Sequence, residues 1–328
     1  MEIREATCND ISAIVALLKI SLGESLMPKS EKYWRWKHLE NPFGASPVLL
    51  CWEDNTLIGV RAFMRWEWTQ KGRVYRAVRA VDTATHPDFQ GKGTFKRLTL
   101  ALTDYCTKLG DDFVFNTPNQ KSKPGYLKMG WEEAGTLPVR IGMKNPFKLL
   151  RNYLSGANSS GDFTEYSSHL SHYIQHRNFG KLIENSQTPL IKTNISARYL
   201  AWRYIDVPVA QYVAIGEELG TELNGFLICR IKKTRFGNEM RITDSFLKDG
   251  IVGKGLAAKL QQCKRIWSID YVTYSGSDKK MFREIGGTFR AKLEVGPIVT
   301  IRSLNLTDLS SLKNFHQWSP SMGDLELF

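Results

Sequence analysis

The sequence predicts an α/β chain of the α+β kind: two tandem domains, each a mixed twisted sheet flanked by helices, the second a degenerate copy of the first. Three observations lead there. The chain has 328 residues, and at roughly 150 residues per domain that is about two domains. Strand-like runs alternate with helical periods through the first 143 residues, and the same order of features restarts near residue 190. Composition agrees, with 42% apolar and 24% charged residues, a globular balance that excludes disorder as the main state. Lys and Arg number 45 against 33 Asp and Glu, a formal charge of +12. That excess favours anionic partners: nucleic acid, a membrane surface or phosphorylated small molecules. The five cysteines, Cys8, Cys51, Cys106, Cys229 and Cys263, are scattered without a Cys-x-x-Cys pair, so neither a disulfide framework nor a metal site is expected. Met1-Glu2-Ile3-Arg4-Glu5 opens no signal-like apolar segment and no long apolar run follows. The expectation is a reduced, cytoplasmic chain without a membrane span.

The elements follow in order. Residues 2–5 read as a short strand. Ile11, Ile14, Leu17, Leu18 and Leu22 repeat with a helical period over 10–21, with Asp10 placed to cap it. A second helix covers about 30–39. Strands are expected at 48–53, 57–66 and 73–86, the last two joined by a Lys71-Gly72 turn. A long amphipathic helix runs from Gly91 to about Lys108, with Leu98, Leu102 and Tyr105 on its apolar side. Phe113-Val-Phe-Asn-Thr117 is a buried strand, a short helix follows at 121–128, and strand material fills 131–143.

Ser155-Gly156-Ala157-Asn158-Ser159-Ser160-Gly161 breaks the pattern. The expected division is a first domain at 1–145, a connection with helical segments at 146–189, and a second domain at 190–328. Trp36, Lys37 and Pro42 find counterparts in Trp202, Arg203 and Pro208, 166 residues on. Leu57-Ile58-Gly59 matches Leu223-Asn224-Gly225 at the same spacing. Arg79, Asp82 and Gly91-Lys92-Gly93 match Arg241, Asp244 and Gly253-Lys254-Gly255 at 162 residues, and Gly130 matches Gly286 at 156. A spacing that only shrinks is what shortened loops produce, so the ordered set reads as an internal duplication.

The strongest chemical signal is His86-Pro87-Asp88-Phe89-Gln90-Gly91-Lys92-Gly93-Thr94-Phe95, where a strand ends and a helix begins. A glycine-rich turn at a helix start leaves backbone N–H groups facing outward, and the helix dipole adds positive charge there. Such a turn cradles a diphosphate. The order matches neither the dinucleotide fingerprint Gly-x-Gly-x-x-Gly nor a P-loop. It resembles the acyl-CoA signature Arg/Gln-x-x-Gly-x-Gly/Ala of the GCN5-related N-acetyltransferase (GNAT) superfamily, in compact form as Gln90-Gly91-Lys92-Gly93. A second stretch, Asn119-x-x-Ser122-x-x-Gly125-Tyr126-Leu127-Lys128-Met129-Gly130-Trp131, resembles that superfamily's Asn…Tyr…Gly-Phe element and follows a strand as it should. The resemblance covers 2–143 well and 190–303 as a worn copy. There Phe282 stands in the tyrosine position, Ser275 replaces the Asn and Val252 replaces Gln90.

The resemblance implies an N-acyltransferase using coenzyme A, as acyl-CoA, for direct amine attack on the thioester. Gln90, Gly91, Lys92, Gly93, Thr94 and Phe95 would hold the diphosphate. The strand edge Thr83-Ala84-Thr85, with Asn119 and Ser122, would hold the pantetheine arm, and Tyr126 would protonate the leaving thiolate. Asp82 is the favoured base or amine anchor, set against a strand-end carboxylate paired with Arg79 or Lys92. His86 reads as a turn cap, and solvent could take the proton. On the acceptor side Trp36, Lys37, Asn41, Arg79 and Asn116 are the expected contacts. Arg, Lys and Trp together suit a ring carrying phosphates, though two core tryptophans would give the same letters. The look is similar to two-domain sugar N-acyltransferases, which implies a nucleotide-linked amino-dideoxy sugar such as dTDP-3-amino-3,6-dideoxyhexose as acceptor, for surface polysaccharide. The alternatives are another amine (aminoglycoside, peptide or protein), FemABX-like aminoacyl transfer, or a non-catalytic module binding CoA or nucleic acid. No nucleic-acid signature is present, and the reading allows a homodimer.

Overall fold

The computed structural model describes residues 1–24, 27–155, 169–185, 189–275, 285, 289–293 and 296–325. The first half runs β1 (Glu2–Glu5), α1 (Ile11–Leu22), α2 (Glu31–His38), β2 (Val48–Glu53), β3 (Thr56–Gln70), β4 (Arg73–Thr85), α3 (Thr94–Lys108), β5 (Phe113–Asn116), α4 (Lys123–Lys128), β6 (Glu132–Thr136) and β7 (Val139–Met143). Helices α5 (Pro146–Ser155), α6 (Leu170–Gln175) and α7 (Phe179–Asn185) come next. The second half runs β8 (Lys192–Thr193), α8 (Ala197–Tyr204), β9 (Val213–Leu219), β10 (Glu222–Thr234), β11 (Gly237–Leu247), α9 (Lys254–Ile266), β12 (Tyr271–Tyr274), β13 (Phe289–Leu293), β14 (Ile298–Ser303), α10 (Ser310–Lys313) and α11 (Met322–Leu325). Among the described residues no helix is long and apolar enough to cross a membrane.

Two mixed sheets carry the fold, as expected. The first has the order β1-β2-β3-β4-β5-β14-β6, with β8 paired to β3, and the second β13-β7-β12-β11-β10-β9. The pairs β4–β5 and β11–β12 are parallel; the other pairs are antiparallel. Lys71 and Gly72 both have positive φ (48° and 82°), as a two-residue hairpin turn requires. The duplication is visible in detail. Ser30 caps α2 by accepting from Tyr33 N at 3.1 Å, and Ser196 caps α8 by accepting from Tyr199 N at 3.0 Å. Both halves bulge at the same point, between Cys51 and Trp52 opposite β3 and between Leu223 and Gly225 opposite β9.

Each half lends a strand to the other. β7 leaves the first half and lies between β12 and β13, while β14 returns to lie between β5 and β6. The two crossing segments meet where Leu137 N donates to Pro297 O at 3.0 Å. Gly296 packs against the Leu137 carbonyl with no room for a Cβ. A division of the chain at 145 and 190 therefore does not divide the sheets. The strand pattern of 131–143 reads the same whichever sheet receives it.

The largest apolar cluster lies between the two sheets and includes Trp36, Trp66, Trp68, Phe115, Tyr199, Trp202 and Trp318. At its centre Trp36 and Trp202 stack with centroids 4.8 Å apart. Each indole N–H donates to the other's backbone carbonyl at 2.8 Å. A second cluster under α3 and α4 holds Cys51, Phe63, Val78, Leu98, Val114, Tyr126 and Trp131. One local expectation is corrected. Asp10 does not cap α1 with its side chain; it turns back to accept from Arg4 (2.9 and 2.7 Å) and from Thr7 N (2.7 Å). A guanidinium offers more than one exposed amide, and it holds the Asp10 carboxyl well below the usual carboxylate range.

Candidate active site

β4 and β5 pair only from Ala77 to Arg79, against Phe113 to Phe115. Beyond that point they diverge, and among the described residues the rest of β4 keeps a partner only in β3. His86 N donates to Ile58 O at 2.9 Å. Strand alternation then turns the backbone groups of Thr85 and Thr83 away from β3, into the opening. Ser21 Oγ, at the end of α1, already meets Thr85 O there at 2.5 Å.

That edge forms one wall of a groove of about 500 Å³ lined by Ser21, Leu22, Thr83–Thr85, Phe89–Gly91 and Gly93–Lys96. Gly91 and Gly93 have φ of +78° and +79°, and nothing stands within 4 Å of a Cβ built on either. The glycines are there for the left-handed backbone that starts α3, not for space. α3 begins at Thr94 with Gly93 as its cap residue, and no side chain caps it. Its first amides face the groove uncovered. Gly59 lets the helix sit this low on the sheet: a Cβ there would lie 2.7 Å from Thr94 Cγ2 and 2.9 Å from Leu98 Cδ1. The groove therefore gathers Thr83, Ala84, Thr85, Gln90, Gly91, Gly93, Thr94 and Phe95. Lys92 is exposed beside it, its ammonium 4.5 Å from the Phe89 ring centroid.

Asn119 and Ser122 stand at the start of α4 and are not among the groove's lining residues. Asn119 Oδ1 accepts from Lys121 N at 3.0 Å and Ser122 N at 2.9 Å, which shapes the turn. Tyr126 is buried beneath α3, edge-on to Phe95 at 5.5 Å. Its oxygen accepts from Arg61 Nη2 at 2.7 Å. Gly125 brings α4 against Phe95, 3.5 Å from a Cβ built there.

Asp82 is placed differently from either expectation. It is the extra residue of a β-bulge: Arg61 opposes Thr83 and Ala62 opposes Val81. Its φ is +37°. Its carboxylate accepts from Lys37 Nζ at 2.7 Å and His38 Nε2 at 2.8 Å, not from Arg79 or Lys92. Burial would push this carboxyl up, but Lys37 and His38 outweigh it and hold it well below the usual range. A carboxylate so held is a poor proton acceptor at neutral pH. His86 Nδ1 accepts from Asp88 N at 3.4 Å and caps the turn after β4.

The five expected acceptor contacts do not form a surface. Trp36, Lys37, Asn41, Arg79 and Asn116 are each 3% exposed or less. Trp36 joins the halves, and Lys37 neutralises Asp82. Asn41 ties its own turn to Arg65 O at 2.9 Å and Phe43 N at 2.9 Å. Asn116 accepts from Thr300 Oγ1 of the exchanged strand β14. Arg79 donates to Asp324 O at 2.5 Å and Leu325 O at 3.1 Å, clamping α11 onto the first sheet. Their letters suit an anionic ring, but duplicated packing explains them. Tyr199, Trp202 and Arg203 sit at the matching positions of α8, and Arg203 donates to Gly323 O at 2.9 and 2.7 Å.

In the second half the cradle has an internal occupant. Gly255 N donates to Glu217 Oε1 at 2.9 Å, and the same carboxylate leaves no room for a Cβ on Gly253 or Gly255. Glu217 opposes Gly225 as Cys51 opposes Gly59, so the equivalent place in the first half carries a short thiol. Phe282 and Gly286 lie outside the described residues; Ser275 is buried on the matching strand end. Sequence reasoning passed over Arg61, Ser21 and Glu217. Aligning the halves through Gly59 and Gly225 would have found Glu217. Arg61 had a signal too, as a charge two residues from Gly59 on a strand face that a helix covers.

Comparison with known proteins agrees with this geometry. A family model described as an acetyltransferase (GNAT) domain matches residues 2–134, ending just before the exchanged strand β7. No curated protein matches the sequence. Among solved structures, a conserved Enterococcus faecalis V583 protein described as a "Probable N-Acyltransferase" superposes with a TM-score of 0.66 at 11% identity, over 94% of this chain and 74% of that one. A GCN5-related N-acetyltransferase from Anabaena variabilis gives 0.63 at 14%, over 93% and 73%. One from Kribbella flavida gives 0.58 at 10%, over 93% and 72%. The likeness in fold thus runs through both halves, while the family model covers β1 to β5 of the sheet that carries the open cradle. Residues 2–134 thus match an acetyltransferase (GNAT) domain, and the fold of the chain as a whole is like that of GCN5-related N-acetyltransferases.

Proposed function

We propose that this chain moves an acyl group from acyl-CoA to a primary amine, in the first half alone, by direct attack of the amine on the thioester. One observation carries the reading: the uncapped, glycine-opened start of α3 lies against the unpaired edge of β4 in a single groove. The amides of Thr94 to Lys96, with Gln90, Gly91, Lys92 and Gly93, hold the diphosphate of coenzyme A. The outward backbone groups of Thr83 and Thr85 pair with the pantetheine amides, with Asn119 and Ser122 at the far side. Bound acyl-CoA supplies an acyl carbon activated as a thioester. A backbone N–H of the splayed β4 edge meets the charge that grows on the acyl oxygen, and Tyr126 gives its phenolic proton to the leaving sulfur. Asp82 shapes the bulge that splays β4, and the amine's proton leaves without it.

The acceptor is a neutral primary amine. A nucleotide-linked amino-dideoxy sugar stays within the proposal on the strength of the resemblance and the positive charge, without the support of the five buried residues. The test is release of free thiol from acetyl-CoA with dTDP-amino sugars, aminoglycosides and short peptides as acceptors. Thiol release with one class names the acceptor. Absence of coenzyme binding by calorimetry overturns the proposal, because the groove would then serve something else.

A further inference from the structure

Arg61 is a charge in an apolar place. It projects from β3 beneath α3 and is 1% exposed. Nη2 donates to the Tyr126 oxygen at 2.7 Å. Nε and Nη1 are fully buried and have no hydrogen-bond partner among the described residues. No carboxylate pairs with it among the described residues. It is held instead by three ring faces, Phe63 at 5.0 Å, Phe95 at 5.7 Å and Tyr126 at 5.5 Å from the guanidinium carbon. Thr83, its partner across the sheet, and Phe95 are walls of the groove. The cation therefore sits directly behind the surface along which the thioester arm would run.

Cation–π contact offsets part of the cost of burying a guanidinium. It does not offset the desolvation of two unpaired nitrogens and an uncompensated charge. A methionine would fill the same volume and make the core more stable. A residue that lowers stability and points at the proposed acid is placed for chemistry.

We propose that Arg61 is a positioning residue of the transfer step. By donating to the phenol oxygen it fixes that oxygen as an acceptor. The hydroxyl hydrogen is then left for the departing sulfur, and the guanidinium meets the negative charge that remains on the oxygen. The inference rests on the reading of Tyr126 above. The step balances without another reactant. The amine lone pair forms the N–C bond, and the C–S bond breaks with its electron pair going to sulfur. Sulfur takes the Tyr126 proton and leaves as the thiol. The tyrosinate, held by Arg61, recovers a proton from the nitrogen, which must lose one to become the neutral amide.

The test compares Arg61→Met, Tyr126→Phe and the double variant in the full chain, with acetyl-CoA and the amine that releases thiol fastest. Arg61→Met is expected to lower kcat about 100-fold, with KM for the coenzyme unchanged and Tm equal or higher. The double variant should be no slower than Tyr126→Phe, and added guanidinium ion should restore part of the rate to Arg61→Ala. A fast Arg61→Met beside a slow Tyr126→Phe overturns the role of Arg61 and leaves the acid in place. A fast Tyr126→Phe overturns the acid, and Arg61 with it. Fully multiplicative losses in the double variant overturn the coupling. If Arg61→Met lowers both kcat and Tm, the Ala variant decides: without guanidinium rescue the residue is structural and the proposal fails.

Discussion

Gly91-Lys92-Gly93 and Gly253-Lys254-Gly255 are the same three letters at equivalent helix starts, and they are glycine for different reasons. In the first half the glycines take left-handed φ with open space around them, and the helix end faces a groove. In the second half Gly253 has φ −63°, which any residue adopts. Its lack of a Cβ makes room for the Glu217 carboxylate instead. The helix dipole attracts an anion in both places. One half leaves that position to a ligand, and the other fills it from its own strand. The carboxylates at matching sequence positions divide in the same way, although the extra residue of the second bulge is Thr243 and Asp244 pairs with Ile228. Asp82 is tied to Lys37 and His38, whereas Asp244, its counterpart, accepts from Tyr204 and feels Asp324. A worn copy here is not an unoccupied site but one whose charges have been turned inward.

The largest effect should come from separating the halves. Among the described residues β6 pairs only with β14, and β13 only with β7. Residues 1–145 expressed alone are expected to lack a cooperative melt by circular dichroism, while the full chain shows one shared transition. A fragment with its own sharp transition would mean that the exchange is dispensable. Next in size is the contrast between Asp82 and Asp244. Asp82→Asn strands a buried Lys37 and should cost about 3–5 kcal/mol in urea unfolding. Asp244→Asn should stay within about 1 kcal/mol, since burial and Asp324 already push that carboxyl toward its neutral form. Equal losses in the two variants would break the comparison.

Smaller effects separate the two kinds of glycine. Gly253→Ala should cost about 1–3 kcal/mol by overpacking against Glu217, and the cost should vanish in a Glu217→Ala background. Gly93→Ala should cost about 1–2 kcal/mol from its φ whatever stands at 217, and should weaken coenzyme binding. Glu217→Gln alone should lose about 0.3–1 kcal/mol and leave transfer untouched. A drop in kcat in that variant would place the second cradle in the reaction.

Much of this was legible before the fold was seen. Apolar periods of 3.6 and 2 gave the helices and strands, and the glycine turn after β4 marked the groove, because both are local consequences of backbone chemistry. The strand exchange was not legible, because Val139–Met143 carries a pattern that fits either sheet. Nor was the fate of the aromatic and cationic run in α2. Trp36 and Lys37 fit a ligand surface as well as a core, and only the partners, Trp202 and Asp82, decide. Arg61 was passed over because its signal, a charge two residues from Gly59 on a helix-covered strand face, does not name Tyr126 as its partner.

The finest test of the two halves is pH. Burial holds His38 below its ordinary value, so it stays neutral in the folded chain while the unfolded chain takes up a proton. Stability contributed there is lost as pH falls below about 6.5. Asp244 works in the opposite sense. Its folded form keeps a proton that the unfolded form has already lost above pH about 4, so stability falls as pH rises from there. Between about pH 5 and pH 7 the two slopes oppose each other. His38→Gln should leave the falling slope of Asp244 and shift maximum stability toward acid. Asp244→Asn should leave the slope of His38 and steepen the loss below neutrality. Urea midpoints across that window read both directly. If the two variants moved in the same direction, His38 and Asp244 would not titrate in opposite senses, and the contrast drawn between the halves would not hold at the level of charge.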